Sequence, residues 1–218
     1  MANSAAARTE ILRRIRVATG PAADTAAIEA EWRGIDRAYK QVASVDRAGL
    51  LHQLEDRLRD YDAGVYRTSS AGIAALVSSI LSERRKQTMA VPSGIQAEWL
   101  PVGVTFVEDT RGDVSIIDSC DGVLTSATLA IAETGTIVLQ DAPGQGRRAV
   151  TLLPDYHLCL VDAANIVQTV PEAIALLQTT AHLATTFFSG PSATADIEMT
   201  RIKGVHGPRF VDVILIVD

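Results

Sequence analysis

Apolar residues recur at helical spacing through the first 62 positions and in short strand-like runs beyond them. Thr9 can cap a helix carrying Ile11, Leu12 and Ile15. Asp24 can cap a second, in which Ile28, Trp32, Ile35 and Tyr39 follow at intervals of four, three and four and define one amphipathic face. Gly34 interrupts that face at a cost of about 1 kcal/mol relative to alanine. Asp46 opens a third helix with Leu51, Leu54 and Leu58 on one side. Gly20-Pro21 separates the first two. Residues 1–62 are thus expected to form a helical N-terminal extension.

The periodicity changes near residue 63. Val65-Tyr66-Arg67 reads as a short strand, and Ser69 or Ser70 as the cap of a helix burying Ile73, Leu76, Val77, Ile80 and Leu81. The run Glu83-Arg84-Arg85-Lys86 suits the end of that helix, where cations meet the negative pole of the dipole. Further strands are expected at 88–91, 105–107, 123–125, 136–139, 157–161, 185–188 and 211–217. Thr169 and Glu172 have capping-box spacing and open a helix with Ile174, Leu177 and Ala181 inward. Short apolar runs alternating with capped helices predict an α/β domain over 63–218 with a largely parallel sheet flanked by helices.

Composition sharpens this. Hydrophobic residues are 47% and charged residues 21% of the 218, enough for a packed core. A net charge of −6 without a basic face argues against nucleic acid as a partner. No apolar run reaches the roughly 20 residues that span a bilayer, so no membrane insertion is expected. The two cysteines, Cys120 and Cys159, sit in apolar surroundings and cannot make a four-thiolate site. No metal ligand set and no particular cofactor emerge, and a cytoplasmic location is the simplest reading.

Chemistry concentrates in three stretches. In the run from Thr125 to Leu139, Glu133 is a lone carboxylate among small and apolar residues, with Gly135 permitting a sharp turn after it. If desolvated, its pKa would rise and suit acid–base or nucleophilic work; the alternative is a solvent-facing turn. Thr134, Gly135 and Thr136 beside it are candidate ligand contacts. In Asp141–Arg148, glycine-rich backbone and two guanidiniums can hold a phosphate or carboxylate, and Arg148 lies nearest the following strand. His157 after it reads as structural. Between the last two strands, Gly190-Pro191 and Gly207-Pro208 fix turns around Ser189, Ser192, Thr194, Asp196, Glu198, His206 and Arg209. His206 can exchange protons near neutrality, and Arg209 can clamp an anion or pair with a local carboxylate. Glu133, Ser189, Ser192, Asp196, His206 and Arg209 are expected to converge at the carboxyl ends of the strands.

Four segments in order, A-I-A-E-T-G-T-I-V-L (130–139), T-L-L-P-x-x-H (151–157), S-G-P-S-A-T-A-D-I-E (189–198) and G-V-H-G-P-R (204–209), resemble the LUD-domain family of lactate-utilisation proteins. The resemblance covers residues 65–218. It implies the α/β fold shared with ribose-5-phosphate isomerase, glucosamine-6-phosphate deaminase and CoA transferases. It also implies a part in cytoplasmic oxidation of L-lactate to pyruvate beside iron–sulfur subunits. Glu133 and His206 are the catalytic candidates in the matched segments, with Thr134, Gly135, Thr136, Ser189, Gly190, Ser192, Asp196 and Arg209 there, and Arg148 outside them, as ligand contacts. Ala193 stands where members carry a cation, and Thr128 where an aspartate is common, which weakens a two-carboxylate mechanism.

Three functional classes follow. The first is a component of a lactate-oxidising system that binds a small carboxylate or an anionic phosphate-bearing cofactor. The second is a stand-alone enzyme, like a CoA transferase or isomerase, working through Glu133. The third is a non-catalytic assembly protein whose helical N-terminus docks a partner.

Overall fold

The computed structural model describes residues 4–20, 24–194, 202–204 and 206–218. They fall into two compact units, 1–39 and 40–218. The first holds α1 (Ser4–Thr19) and α2 (Thr25–Gly34). Asp24 caps α2 by accepting from the Ala26 amide at 3.1 Å. The expected helical face stops at Gly34, so Ile35 and Tyr39 lie beyond the helix. No residue of α2 is buried, and Ile28 and Trp32 are exposed.

The second unit begins at Lys40, not at residue 63 as the periodicity suggested. The reason is α3 (Arg47–Asp60). Its Leu51, Leu54 and Leu58 enter the same core as Ile137, Leu139, Val161 and Val213. A leucine fully buried in this way contributes about 1.5–3 kcal/mol. The helix is therefore part of the α/β domain.

That domain is built on a six-stranded parallel sheet. Its strands are β1 (Gly64–Thr68), β2 (Thr88–Pro92), β3 (Thr105–Asp109), β4 (Gly122–Ser126), β7 (Tyr156–Asp162) and β12 (Phe210–Ile216), in the order β1-β12-β7-β4-β2-β3. A second, mixed sheet of order β8-β5-β6-β9 comprises β5 (Leu129–Ile131), β6 (Thr136–Gln140), β8 (Ile166–Val167) and β9 (Thr185–Phe188). A two-stranded ribbon, β10 (Ala193–Thr194) and β11 (Ile202–Lys203), completes the strands among the described residues.

Both faces of the parallel sheet are covered, as such sheets require. The alternation along β7 and β12 shows how. Cys159, Val161, Val213 and Leu215 join the core shared with the second sheet and α3. Leu158, Leu160, Ile214 and Ile216 pack on α4 (Ile73–Glu83). No side chain caps α4; the Ser70 amide instead donates to Asp218 at 2.9 Å. Two five-residue helices, α5 (Val114–Asp118) and α6 (Arg148–Leu152), lie before β4 and β7. The last helix, α7 (Val170–Leu177), has the expected capping box, but buries Ala173 and Leu177 and leaves Ile174 and Ala181 outside. The inward face is set by the second sheet, whose existence the sequence pattern did not show.

On the α4 side of the sheet, Asp212 is fully buried. It accepts from both Arg84 nitrogens, at 2.8 and 2.7 Å, and from the Tyr156 hydroxyl at 2.9 Å. The charge is matched and every contact is a charge-assisted hydrogen bond.

Candidate functional site

A cleft of about 280 Å³ opens between the two sheets. His157 and Val211, paired across the register as the second residues of β7 and β12, form its floor. Arg148 and Thr151 of α6 form one wall, and Thr186 to Phe188 of β9 another. The turn Ser189–Ser192, together with His206 and Pro208, closes the rim. The cleft thus lies at the amino ends of β7 and β12, not at the carboxyl ends expected for an open sheet. The second sheet makes the difference, because its edge strand β9 supplies a wall there.

Local chemistry fixes the rim. Gly190 adopts φ +77, and a Cβ there would fall 2.6 Å from the Tyr61 Cβ, so only glycine lets the turn pass the end of α3. Ser192 donates its amide to the Pro208 carbonyl at 2.8 Å, accepts from the Gly204 amide at 2.9 Å, and accepts the His206 amide on its hydroxyl at 3.1 Å. The two Gly-Pro turns are therefore laced together through one serine.

Arg148 gives the cleft its charge. Its guanidinium donates to the Thr151 hydroxyl at 3.0 Å and has no carboxylate partner among the described residues. Desolvation lowers its pKa. Three other arginines among the described residues are matched. Arg147 is held by both oxygens of Asp109 at 2.9 Å, Arg111 pairs with Asp141, and Arg209 grips Asp155 at 2.6 and 2.9 Å.

His157 is the residue that sequence reasoning set aside. It is 2% exposed, and its Nε2 lies 2.8 Å from the Thr125 hydroxyl of β4. Its ring stacks obliquely on Phe188 with centroids 5.2 Å apart. Burial, aided by the charge of Arg148, pushes its pKa down to about 3, so the imidazole is neutral at ordinary pH. Burial also pushes the Cys159 thiol up to about 12. Thr151 and Thr186 were not singled out either; nothing local marks a threonine that faces a cleft.

The expected site residues separate into groups. Arg148, Ser189, Gly190, Ser192 and His206 meet in the cleft. Arg209 does not line it: its guanidinium is committed to Asp155, which raises its own pKa and lowers that of the acid. Glu133 stands apart on a more open surface with Thr134, Arg57, Asp60 and Tyr61. It is 34% exposed and ion-paired with Lys40 at 2.5 Å, the solvent-facing setting of the two that the sequence left open. Gly135, at φ +61, brings this loop against α3, where a Cβ would lie 2.7 Å from the Arg57 Cβ. A thread of hydroxyls still joins the regions: Thr134 to Thr136 at 2.7 Å, and Thr136 to Ser189 at 2.8 Å. Asp196 and Glu198 lie outside the described residues. Among the described residues no group of three or more His, Cys, Asp or Glu could hold a metal ion, and none of the helices is long and apolar enough to cross a membrane.

The family model described as LUD domain matches residues 51–216, from α3 to the last strand. The chain belongs to the LUD domain family. Lactate utilization protein C of Deinococcus radiodurans is 41% identical over 181 residues, 82% of this chain and 84% of its own length. Lactate utilization protein C of Bacillus velezensis is 25% identical over 190 residues, 83% of this chain and 73% of its own. The crystal structure of a DUF162 family protein from Deinococcus radiodurans is similar with a TM-score of 0.68 at 36% identity, covering 80% of this chain and 100% of that one. The shared LUD core therefore includes α3 and both sheets.

Proposed function

We propose that this chain serves in lactate utilization, in the cytoplasmic oxidation of L-lactate to pyruvate, and that its cleft binds the small carboxylate. The relatives named lactate utilization protein C support the role. The observation that carries the site is Arg148, a partly desolvated guanidinium lining a cleft with no carboxylate partner among the described residues. A carboxylate or phosphate supplies what it lacks, through two parallel hydrogen bonds. Thr151, Ser189 and Ser192 add hydroxyls on the same cleft. In this reading the electrons leave to iron–sulfur subunits: a cluster needs at least two thiolates side by side, and the two cysteines of this sequence are buried in separate cores.

Calorimetric titration with L-lactate, pyruvate and inorganic phosphate tests the site. Wild-type protein should bind at least one of them, and Arg148→Gln should weaken that binding by about 1.5–3 kcal/mol, the range for hydrogen bonds to a charged group. Unaltered binding in Arg148→Gln would refute the assignment. A stand-alone enzyme working through Glu133 draws no support from its exposed pairing with Lys40.

A further inference from the structure

We propose that the cleft discriminates a 2-hydroxy acid from the corresponding 2-keto acid, because a buried hydrogen-bond chain makes His157 present an acceptor nitrogen to its occupant. The inference rests on the carboxylate reading of Arg148.

The chain starts at a group that can only accept. The Ser126 carbonyl oxygen lies 3.9 Å from the Cys159 sulfur and takes the thiol hydrogen. The sulfur, its hydrogen spent, accepts from the Thr125 hydroxyl at 3.7 Å. In the proposed chain the Thr125 hydrogen goes to sulfur, and its oxygen accepts from His157 Nε2 at 2.8 Å. Nε2 therefore carries the hydrogen. In a neutral imidazole the other nitrogen then holds a lone pair. That nitrogen, Nδ1, has no partner among the described residues, although the ring is nearly closed from solvent and lines the cleft. An unpartnered acceptor on a residue that lines the cleft offers a bound ligand a place to donate.

A 2-hydroxy acid answers both demands. Its carboxylate meets Arg148, and the hydroxyl on the next carbon donates to Nδ1. A keto oxygen would set lone pair against lone pair. Sites built to hydrogen-bond a hydroxyl reject analogues that lack it, so a preference of roughly tenfold or more is expected. Thr125 and Cys159 touch no ligand in this scheme; they are positioning residues that set the tautomer. The neutral state of the ring, which burial enforces, is the state the scheme needs.

The test is nitrogen-15 NMR of His157 in the ligand-free protein, combined with titration of L-lactate and pyruvate. The expected results are the Nε2–H tautomer and an L-lactate affinity at least about tenfold above that of pyruvate. Cys159→Ala removes the sulfur acceptor and frees the Thr125 hydroxyl to donate to Nε2. The tautomer should then switch to Nδ1–H and the preference should collapse or reverse. Cys159→Ser, which restores an acceptor, should return both to wild type. A merely structural cysteine would move neither the tautomer nor the ratio. An Nδ1–H tautomer in the wild type overturns the inference, as does equal affinity for the two acids while Arg148 is still required. Binding of neither acid overturns the carboxylate reading, and the inference with it.

Discussion

The cleft and the Glu133 surface are built from similar parts: a cation, hydroxyls, a tight glycine and the edge of α3. They differ in whether the charges are matched. At the Glu133 surface, Lys40 meets Glu133 and Arg57 meets Asp60 at 3.2 Å, all of them substantially exposed. In the cleft, Arg148 meets only a hydroxyl among the described residues, and His157 is held neutral beside it. An exposed matched pair contributes little and asks for nothing. An unmatched, partly desolvated cation is tolerated where an external anion completes it. Polarity alone did not separate these regions in the sequence; partner accounting does.

The largest effect that would break this contrast concerns a matched pair in the interior. Asp212→Ala leaves Arg84 and the Tyr156 hydroxyl without their acceptor and should cost about 3–5 kcal/mol in chemical denaturation. Arg148→Gln, by contrast, should change stability by no more than about 0.5 kcal/mol, since it removes no matched partner. If the two variants were equally destabilised, matching would not be what distinguishes the sites.

The pH dependence sharpens the contrast at the next level. Folded, His157 titrates at about 3, against an ordinary value of 6.5. Between those values the unfolded chain binds more protons than the folded one. Stability is therefore fully present above 6.5 and falls as the pH drops through that window, by up to about 1.4 kcal/mol per unit for this group. Denaturant midpoints between about pH 6.5 and 5, where carboxylates stay charged, should show that slope. His157→Gln should flatten it, and an unchanged slope would place the titrating group elsewhere.

The smallest effect belongs to the Glu133 surface. Glu133→Gln removes one exposed ion pair and should alter stability by less than about 1 kcal/mol, with ligand affinity in the cleft unmoved. A tenfold loss of affinity would show that the hydroxyl thread through Thr136 couples the two regions, and the contrast would need redrawing.

The sequence made much of the fold legible, and the gaps have physical causes. Strands β2, β3, β7, β9 and β12 were placed to within two residues, because apolar and β-branched runs bounded by turn residues form strands. Strands β5 and β8, of three and two residues, are too short to carry a period, so the second sheet went unseen. With it went the wall of the cleft and the true inward face of α7. Helices α5 and α6, five residues each, escaped for the same reason. At the site, Arg148 could be singled out because it follows a glycine-rich loop. Arg209 could not be discounted, since its partner Asp155 is 54 residues away. His157 read as structural because its meaning depends on Thr125, which only the β4–β7 pairing brings alongside it. Covalent neighbours set elements; non-local partners set which polar groups remain unmatched.

The central claim, that the unmatched cation marks where the ligand binds, is tested most directly by mapping L-lactate onto the protein by NMR. Titration should shift the resonances of Arg148, Thr151, His157 and Ser192 and leave Lys40, Glu133 and Arg57 in place. Shifts centred on Lys40 and Glu133, with Arg148 and His157 unmoved, would contradict the account.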